Sequence, residues 1–229
     1  MNGGGWLTVD GARVDLIYRD LDEVLRWTAA AGEGRFEIRR EVGYVAGIAT
    51  YVLAGELALG KVLAGELPCP AFPPRLRETA PAAWFRLAAG ALSFADVYAG
   101  RQDRVACLAN LCQAVLATAQ GRLAAAGEWV LNEKRLTERA GLDAIQDRLA
   151  QPGPDLGALV SDVRARLGVR DGVWADGYGP GKVGERPSRP GSATAQLAAD
   201  GVAPASSMLG LIQVAMRSAV SAGVSWLVS

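Results

Sequence analysis

An aspartate within an otherwise apolar segment is the first residue of this sequence whose type and position suggest chemistry. Asp15 lies in VDLIYRD, residues 14–20, next to Val14, Leu16 and Ile17. Burial of an unpaired carboxylate is costly, so such a residue needs a cationic partner, a metal ion or an exposed face. Two interpretations are open from the residues alone: Asp15 binds a metal ion at a catalytic site, or it faces water on an edge strand.

The composition excludes several kinds of active site. The 229 residues include no histidine, which excludes Ser-His-Asp and Cys-His nucleophiles and the zinc sites that need histidine. Cys69, Cys107 and Cys112 have no CxxC spacing, and we interpret them as neutral thiols in a reducing compartment. Any catalysis is therefore expected to use carboxylates, lysine, arginine, tyrosine or a bound metal ion.

The charge balance and the hydropathy of the chain indicate which partners and which location to expect. The chain has 24 basic and 24 acidic side chains, a balance that argues against a nucleic-acid partner bound through its phosphates. The first residues lack the pattern of a signal peptide, and no run of about 20 apolar residues indicates a membrane span. We expect a cytoplasmic protein with neither a membrane nor a nucleic-acid partner.

A β-hairpin is predicted to position Asp15. The dipeptide Asp10-Gly11 separates two alternating segments, residues 6–9 and 13–18, and it favours the positive φ angles of a tight hairpin turn. Only RFEIRR, residues 35–40, has a comparable strand pattern elsewhere. Two strands alone are marginally stable in water, so this hairpin is expected to need further strands.

Helical periodicity follows the hairpin. Asp20 and Glu23 form a pair like a capping box at the start of the first helix. A second helix is predicted over residues 50–67, where Pro68 would stop it. Further helices are predicted near residues 74–99, 101–126, 133–141, 142–151 and 155–168, with the short connections of a helical bundle. The chain is thus predicted to be mainly α, with a hairpin in residues 1–19, a bundle in residues 20–168, and a Gly- and Pro-rich linker with an apolar segment in residues 169–229.

Three separated blocks carry a resemblance to a known family. GGGWLTVDGARVDLIYRDLDEVLRW, AGIATYVLAGELALGKVLAGELP and AAAGEWVLNEKRLTERAGL occur in this order within residues 3–168. They resemble blocks of bacterial nucleotidyltransferases of the polymerase-beta-like superfamily, in the group related to aminoglycoside and lincosamide nucleotidyltransferases. The resemblance implies Mg²⁺ and a nucleoside triphosphate as cofactors. It also implies transfer of a nucleoside monophosphate to a hydroxyl group of a small-molecule acceptor.

The resemblance implies a role for Asp15, and it also implies metal-binding residues that do not appear before Trp6. In that family three carboxylates on a small mixed sheet bind metal, and Asp15 matches the third, which could bind Mg²⁺ or take the acceptor proton. The first two form an Asp-x-Asp pair after a Gly-Ser turn, and both features belong upstream of Trp6. The hairpin would then be a remnant of the α+β catalytic domain, and the chain is expected to be inactive or weak alone. Asp20-Leu21-Asp22 has the right spacing but is interpreted as a helix start.

A lysine in the third block is the second residue that the resemblance implicates. In similar enzymes a lysine in this region approaches the nucleotide phosphates, which points to Lys134 as nucleotide-binding, with Asn132 as a hydrogen-bonding neighbour. Residues 132–134 are predicted to open a helix, where a lysine opposes the helix dipole and a phosphate would favour it. The alternative is that Asn132 caps the helix while Glu133 and Lys134 are solvated.

The sequence leaves two interpretations open for Glu56. Glu56 and Lys61 lie in the apolar segment LAGELALGK, where Glu56 either faces a cleft between sheet and bundle or forms an ion pair inside the bundle. Trp27, Trp84 and Trp129 are expected in the core or in cleft walls.

The alternative function is a helical interaction module that forms a homodimer or pairs with another chain, as in toxin–antitoxin systems.

Overall fold

The computed structural model describes residues 3–169 and the backbone of residues 170, 173 and 174. The described residues are mainly helical, with three separate two-stranded antiparallel ladders, so the predicted mainly α class with an N-terminal hairpin is confirmed. The sequence predictions for the Gly- and Pro-rich segment beyond residue 174 and for the apolar segment at 206–228 lie outside the described residues.

The elements follow one another along the chain in a simple order. They are β1 (Gly3–Val9), β2 (Ala12–Tyr18), α1 (Leu21–Gly32), β3 (Ile38–Arg39), β4 (Ile48–Ala49), α2 (Val52–Leu59), α3 (Pro74–Gly100), α4 (Arg104–Ala126), α5 (Leu136–Arg139), α6 (Asp143–Ala150), α7 (Leu156–Arg166), β5 (Val169–Arg170) and β6 (Val173–Trp174).

The N-terminal hairpin forms as its turn dipeptide predicts. Asp10 and Gly11 have φ angles of 49° and 81°, the left-handed conformations that a two-residue turn needs to match the twist of its strands. β1 and β2 pair over their full length, from Gly3 opposite Tyr18 to Val9 opposite Ala12. Within the described residues no third strand joins this ladder, because the RFEIRR segment contributes β3 to a separate ladder with β4.

Two long helices, α3 and α4, carry the main core. Alanine, leucine and aromatic side chains of α3, Trp84 and Leu92 among them, pack with Cys107, Leu111 and Val115 of α4 in one buried cluster. Such small residues at helical spacing let two helix backbones approach closely and bury a continuous apolar stripe. In the described part of the chain, none of the helices combines the length and apolar character needed to cross a bilayer.

The helix predicted over residues 50–67 is too long and is corrected by the structure. α2 ends at Leu59, and Gly60 after it has extended dihedral angles while its N–H donates to the Glu56 carbonyl at 2.9 Å. Glycine loses more conformational freedom in a helix than any other residue, so the helix ends well before Pro68. The helices predicted at 74–99 and 101–126 are confirmed as α3 and α4, the second beginning three residues later than predicted.

Candidate functional site

Asp15 lies on the face of the hairpin that carries both polar and apolar side chains and is largely exposed. The register places Asp15 opposite Trp6, and side chains on adjacent positions of a strand alternate between faces. Val14 and Leu16 therefore occupy the other face, where they are half-buried, whereas Asp15 is exposed and Trp6 is 89% exposed. The position of an aspartate in an apolar segment is thus explained by strand alternation, and its carboxylate is accessible from solvent.

The described residues do not by themselves provide a metal site around Asp15. Within residues 3–169, no three acidic or cysteine side chains are grouped as metal ligands would be. The nearby Asp20 accepts hydrogen bonds from the backbone N–H groups of Asp22 and Glu23, at 3.1 and 3.2 Å, as the N-cap of α1. The bond from Glu23 N–H lowers the pKa of Asp20. This geometry supports the interpretation of Asp20-Leu21-Asp22 as a helix start.

An ion pair joins the hairpin to the helical part. Arg19, directly after β2, donates from Nε and Nη2 to Glu56 Oε2 and Oε1 of α2, at 2.9 and 2.6 Å. Only 25% of the Arg19 side chain and 17% of the Glu56 side chain are exposed, and the bond to Glu56 raises the pKa of Arg19. Glu56 thus forms an ion pair, but its partner lies at the base of the hairpin and not inside the bundle as the second alternative predicted.

The residues predicted to bind a nucleotide lie in a turn rather than at a helix start. α5 begins at Leu136, after Arg135 adopts a left-handed φ of 53°, so the expectation that Asn132 to Lys134 open a helix is wrong. Asn132 Oδ1 accepts from the backbone N–H of Lys134 at 2.9 Å, and the Lys134 side chain is exposed. Lys134 therefore precedes α5 and does not open it, and the hydrogen bond from its N–H to Asn132 fixes this turn.

Glu133 has a structural role that sequence patterns did not reveal. Its two carboxylate oxygens accept from the backbone N–H groups of Val45 and Ala46, both at 2.8 Å. The hydroxyl of Tyr44 donates to the neighbouring Leu131 carbonyl at 3.3 Å. Charge-assisted bonds to two adjacent N–H groups are stronger than neutral ones, so the turn carrying Asn132 and Lys134 is tied to the segment before β4.

Asn132 also borders a cavity. The cavity has a volume of about 490 Å³ and is lined by Leu59, Gly127, Glu128, Trp129, Leu131, Asn132 and Arg139. Arg139 donates to the Trp129 carbonyl at 3.0 Å and lies 3.3 Å from Glu128. Asn132 thus faces a space of ligand size, while Lys134 is not among the lining residues.

The three cysteines differ in their exposure. Cys107 is buried and Cys112 is half-buried, and burial raises the pKa of both thiols, which keeps them neutral. Cys69 is exposed and donates weakly to the Ala58 carbonyl at 3.7 Å. All three thiols are free, so no disulfide constrains the fold.

Comparison with known proteins does not assign a family. No family description, curated protein or solved structure matches this chain. The resemblance to nucleotidyltransferases therefore stays a prediction that depends on the quoted residues.

Proposed function

We propose that this chain is nucleotidyltransferase-like and supplies one catalytic carboxylate, Asp15, to a site that transfers a nucleoside monophosphate from a nucleoside triphosphate to the hydroxyl of a small molecule. The observation that carries the proposal is the exposure of Asp15 in the middle of a seven-residue strand. Its solvent-facing carboxylate is available to accept a proton from an acceptor hydroxyl.

The proposal requires groups from outside residues 3–169. One carboxylate does not make the two-metal site of such enzymes, and the described residues group no further acids with Asp15. In residues 3–169 both outer edges of the β1–β2 ladder are unpaired. Further strands that pair along one edge would bring the other carboxylates beside Asp15, since neighbouring strands lie about 4.8 Å apart. The helical part would then close one side of the site through the Arg19–Glu56 ion pair.

Asn132 and Lys134 are proposed to contact the nucleotide. Asn132 borders the 490 Å³ cavity, and Lys134 projects from the same turn with an exposed side chain. A lysine that contacts phosphate in both the ground and the transition state contributes to binding more than to turnover. Substitution of Lys134 by alanine should therefore raise KM more than it lowers kcat.

A fusion tests the proposal directly. The chain would be joined after strands with a Gly-Ser turn and an Asp-x-Asp pair, and pyrophosphate release would be measured with each nucleoside triphosphate and a panel of aminoglycoside and lincosamide acceptors. We expect activity from the fusion, loss of most of it in Asp15→Asn, and little loss in the control Asp22→Asn. A folded fusion without activity, or one in which Asp15→Asn remains fully active, would contradict the proposal.

A second candidate is a non-catalytic interaction module, and the hairpin favours it. Trp6 is 89% exposed, and neither edge of the β1–β2 ladder is paired within the described residues. Unpaired edges and exposed aromatic residues are features that recruit another chain. The two functions are separated by Asp15→Asn, which should leave the association of a pure interaction module unchanged.

A further inference from the structure

An arginine-lined cleft has none of Asp15, Asn132 and Lys134 among its lining residues, although it includes the segment that Glu133 binds. It is formed where the β3–β4 ladder and the segment between those strands face α3 and α4, and its volume is about 530 Å³. Its lining residues are Ile38, Arg39, Arg40, Tyr44, Val45, Ala46, Gly47, Ala83, Arg86, Leu87 and Gln113. The size is that of a site for a small organic ligand.

Positive charge dominates this cleft. Three of the lining residues are arginines, Arg39, Arg40 and Arg86, and none is acidic. Within the described residues no carboxylate lies at ion-pair distance from Arg40 or Arg86, whereas Arg39 pairs with Glu37 at 2.9 Å. The cleft therefore presents two guanidinium groups that have no ion-pair partner in the described residues and a third that pairs with Glu37.

The guanidinium of Arg39 contacts Glu37 through Nε and Nη2 and the ring of Trp27 through its face. Its Nε and Nη2 donate to Glu37 Oε2 at 3.0 and 2.9 Å, and its Cζ lies 5.2 Å from the ring centroid of the buried Trp27. Stacking on an aromatic ring and a forked ion pair both restrict the rotamers of arginine. These two contacts favour one orientation of the Arg39 side chain, which is 45% exposed.

The wall opposite the helices is also fixed before binding. Glu133 holds the backbone of Val45 and Ala46 through two bonds of 2.8 Å. Gly47 has a φ of 96°, and a side-chain Cβ there would lie 2.7 Å from the Arg39 carbonyl oxygen. Only glycine combines this backbone conformation with such a close approach. A preformed wall lowers the ordering cost of binding.

We propose that this cleft binds an organic phosphate that carries at least two negative charges, with its phosphates on Arg40 and Arg86 and its uncharged part on Ile38, Ala83 and Leu87. Guanidinium groups match phosphate oxygens with paired hydrogen bonds. A dianion is also attracted to both guanidinium groups, for which the described residues provide no ion-pair partner. Half-buried Ile38, Ala83 and Leu87 supply the apolar surface, and half-buried Gln113 adds a polar group on α4.

Calorimetric titration in EDTA tests the cleft separately from any metal-dependent activity. The probes are ADP, inorganic pyrophosphate and sulfate. We expect saturable binding of pyrophosphate that weakens as salt is added. Tighter binding of ADP than of pyrophosphate, with sulfate weakest, supports an organic ligand. Equal affinities for ADP and pyrophosphate would overturn the organic part of the proposal, and absence of saturable pyrophosphate binding would overturn the whole of it.

Matched variants locate the binding. Arg40→Gln and Arg86→Gln should each weaken pyrophosphate binding by about tenfold, because each removes a charge-assisted contact. The control Arg75→Gln removes one positive charge from the start of α3 outside the cleft and should change affinity less than about twofold. Equal weakening in Arg75→Gln and Arg86→Gln would show diffuse attraction and contradict the site.

One further variant separates this inference from the proposed function. Asp15 lies on the hairpin and does not line the cleft, so Asp15→Asn should leave pyrophosphate affinity in EDTA unchanged. Weaker binding in this variant would overturn the separate site. Unchanged binding together with an inactive fusion would support the cleft while contradicting nucleotidyl transfer.

Discussion

Arg19 and Glu56 connect the N-terminal hairpin to the helical bundle through two parallel charge-assisted hydrogen bonds, 2.9 and 2.6 Å long. The pair is mostly shielded from water, with 25% and 17% of the two side chains exposed. Arg19 follows β2 directly, so the ion pair fixes the point at which the hairpin leaves the rest of the fold. The orientation of Asp15 relative to the bundle therefore depends on this contact.

Removal of this ion pair should loosen the base of the hairpin. Glu56→Gln leaves Arg19 without its charged partner, and we expect a loss of about 1 kcal/mol in the free energy of unfolding because the pair is partly solvated. Limited digestion with trypsin, followed by mass spectrometry, should show faster cleavage after Arg19. Glu66→Gln alters an exposed carboxylate with no ion pair in the described residues and is the control. Equal cleavage rates in the two variants would contradict a role for the pair.

The hairpin is expected to mediate self-association. Its edges are unpaired in the described residues, and Trp6 and Leu7 are 89% and 40% exposed, which favours edge-to-edge pairing with another chain. Light scattering should detect dimers or larger species that disappear when residues 1–18 are deleted. Trp6→Lys should reduce association without deletion, since an edge lysine opposes pairing. A monomeric full chain that the deletion leaves unchanged would show that the hairpin is inert.

Local chemistry made part of the fold predictable. The Asp10-Gly11 turn depends on the φ preferences of two adjacent residues, and the start of α3 at Pro74 follows from the suitability of proline for a first helical turn. These features need no information from distant residues. The predicted turn and the predicted α3 agree with the structure.

Contacts between distant segments explain what the sequence did not reveal. Glu133 binds backbone N–H groups 87 and 88 residues away, and Arg19 finds Glu56 across 37 residues. Helical periodicity contains no signal for either partner. The sequence predicts helix in the turn before α5 because the left-handed residue there is Arg135, whereas the usual signal for that conformation is glycine or asparagine.

Packing of the two long helices should be sensitive to one methyl group. A Cβ at Gly121 of α4 would lie 2.6 Å from the ring of Phe85 in α3, and Phe85 is only 2% exposed. Gly121→Ala should therefore destabilise the protein by about 1–3 kcal/mol despite the better helix propensity of alanine. Gly90→Ala is the matched control, because Gly90 is exposed in α3 with no atom near its added Cβ. That variant should gain about 0.5–1 kcal/mol. Urea denaturation that shows a gain in both variants would contradict close packing at Gly121.

A buried hydrogen bond should contribute to the core. Trp84 Nε1 donates to the Tyr51 hydroxyl at 2.7 Å, and the two residues are 0% and 3% exposed. Tyr51→Phe leaves the indole N–H unpaired and should lower the free energy of unfolding by about 1–3 kcal/mol. In a double-mutant cycle with Trp84→Phe, the combined loss should be smaller than the sum of the single losses. Strict additivity would show that the bond contributes nothing.

Acidification should remove a stabilising contribution from Glu23 at the start of α1. Its carboxylate accepts from Arg26 Nη2 at 2.7 Å and from Trp27 Nε1 at 2.8 Å, and these bonds, that from Arg26 most, lower the pKa of Glu23. A carboxylate whose pKa is lowered by folding stabilises the native state above its unfolded pKa of about 4.3. That contribution is lost as the pH falls through the folded pKa.

Glu23→Gln should therefore be less stable than the parent at pH 7, with the difference shrinking towards pH 3. Urea midpoints measured across this range would show it. A difference between Glu23→Gln and the parent that is constant with pH would place the effect in packing against Trp27 rather than in the charge of Glu23.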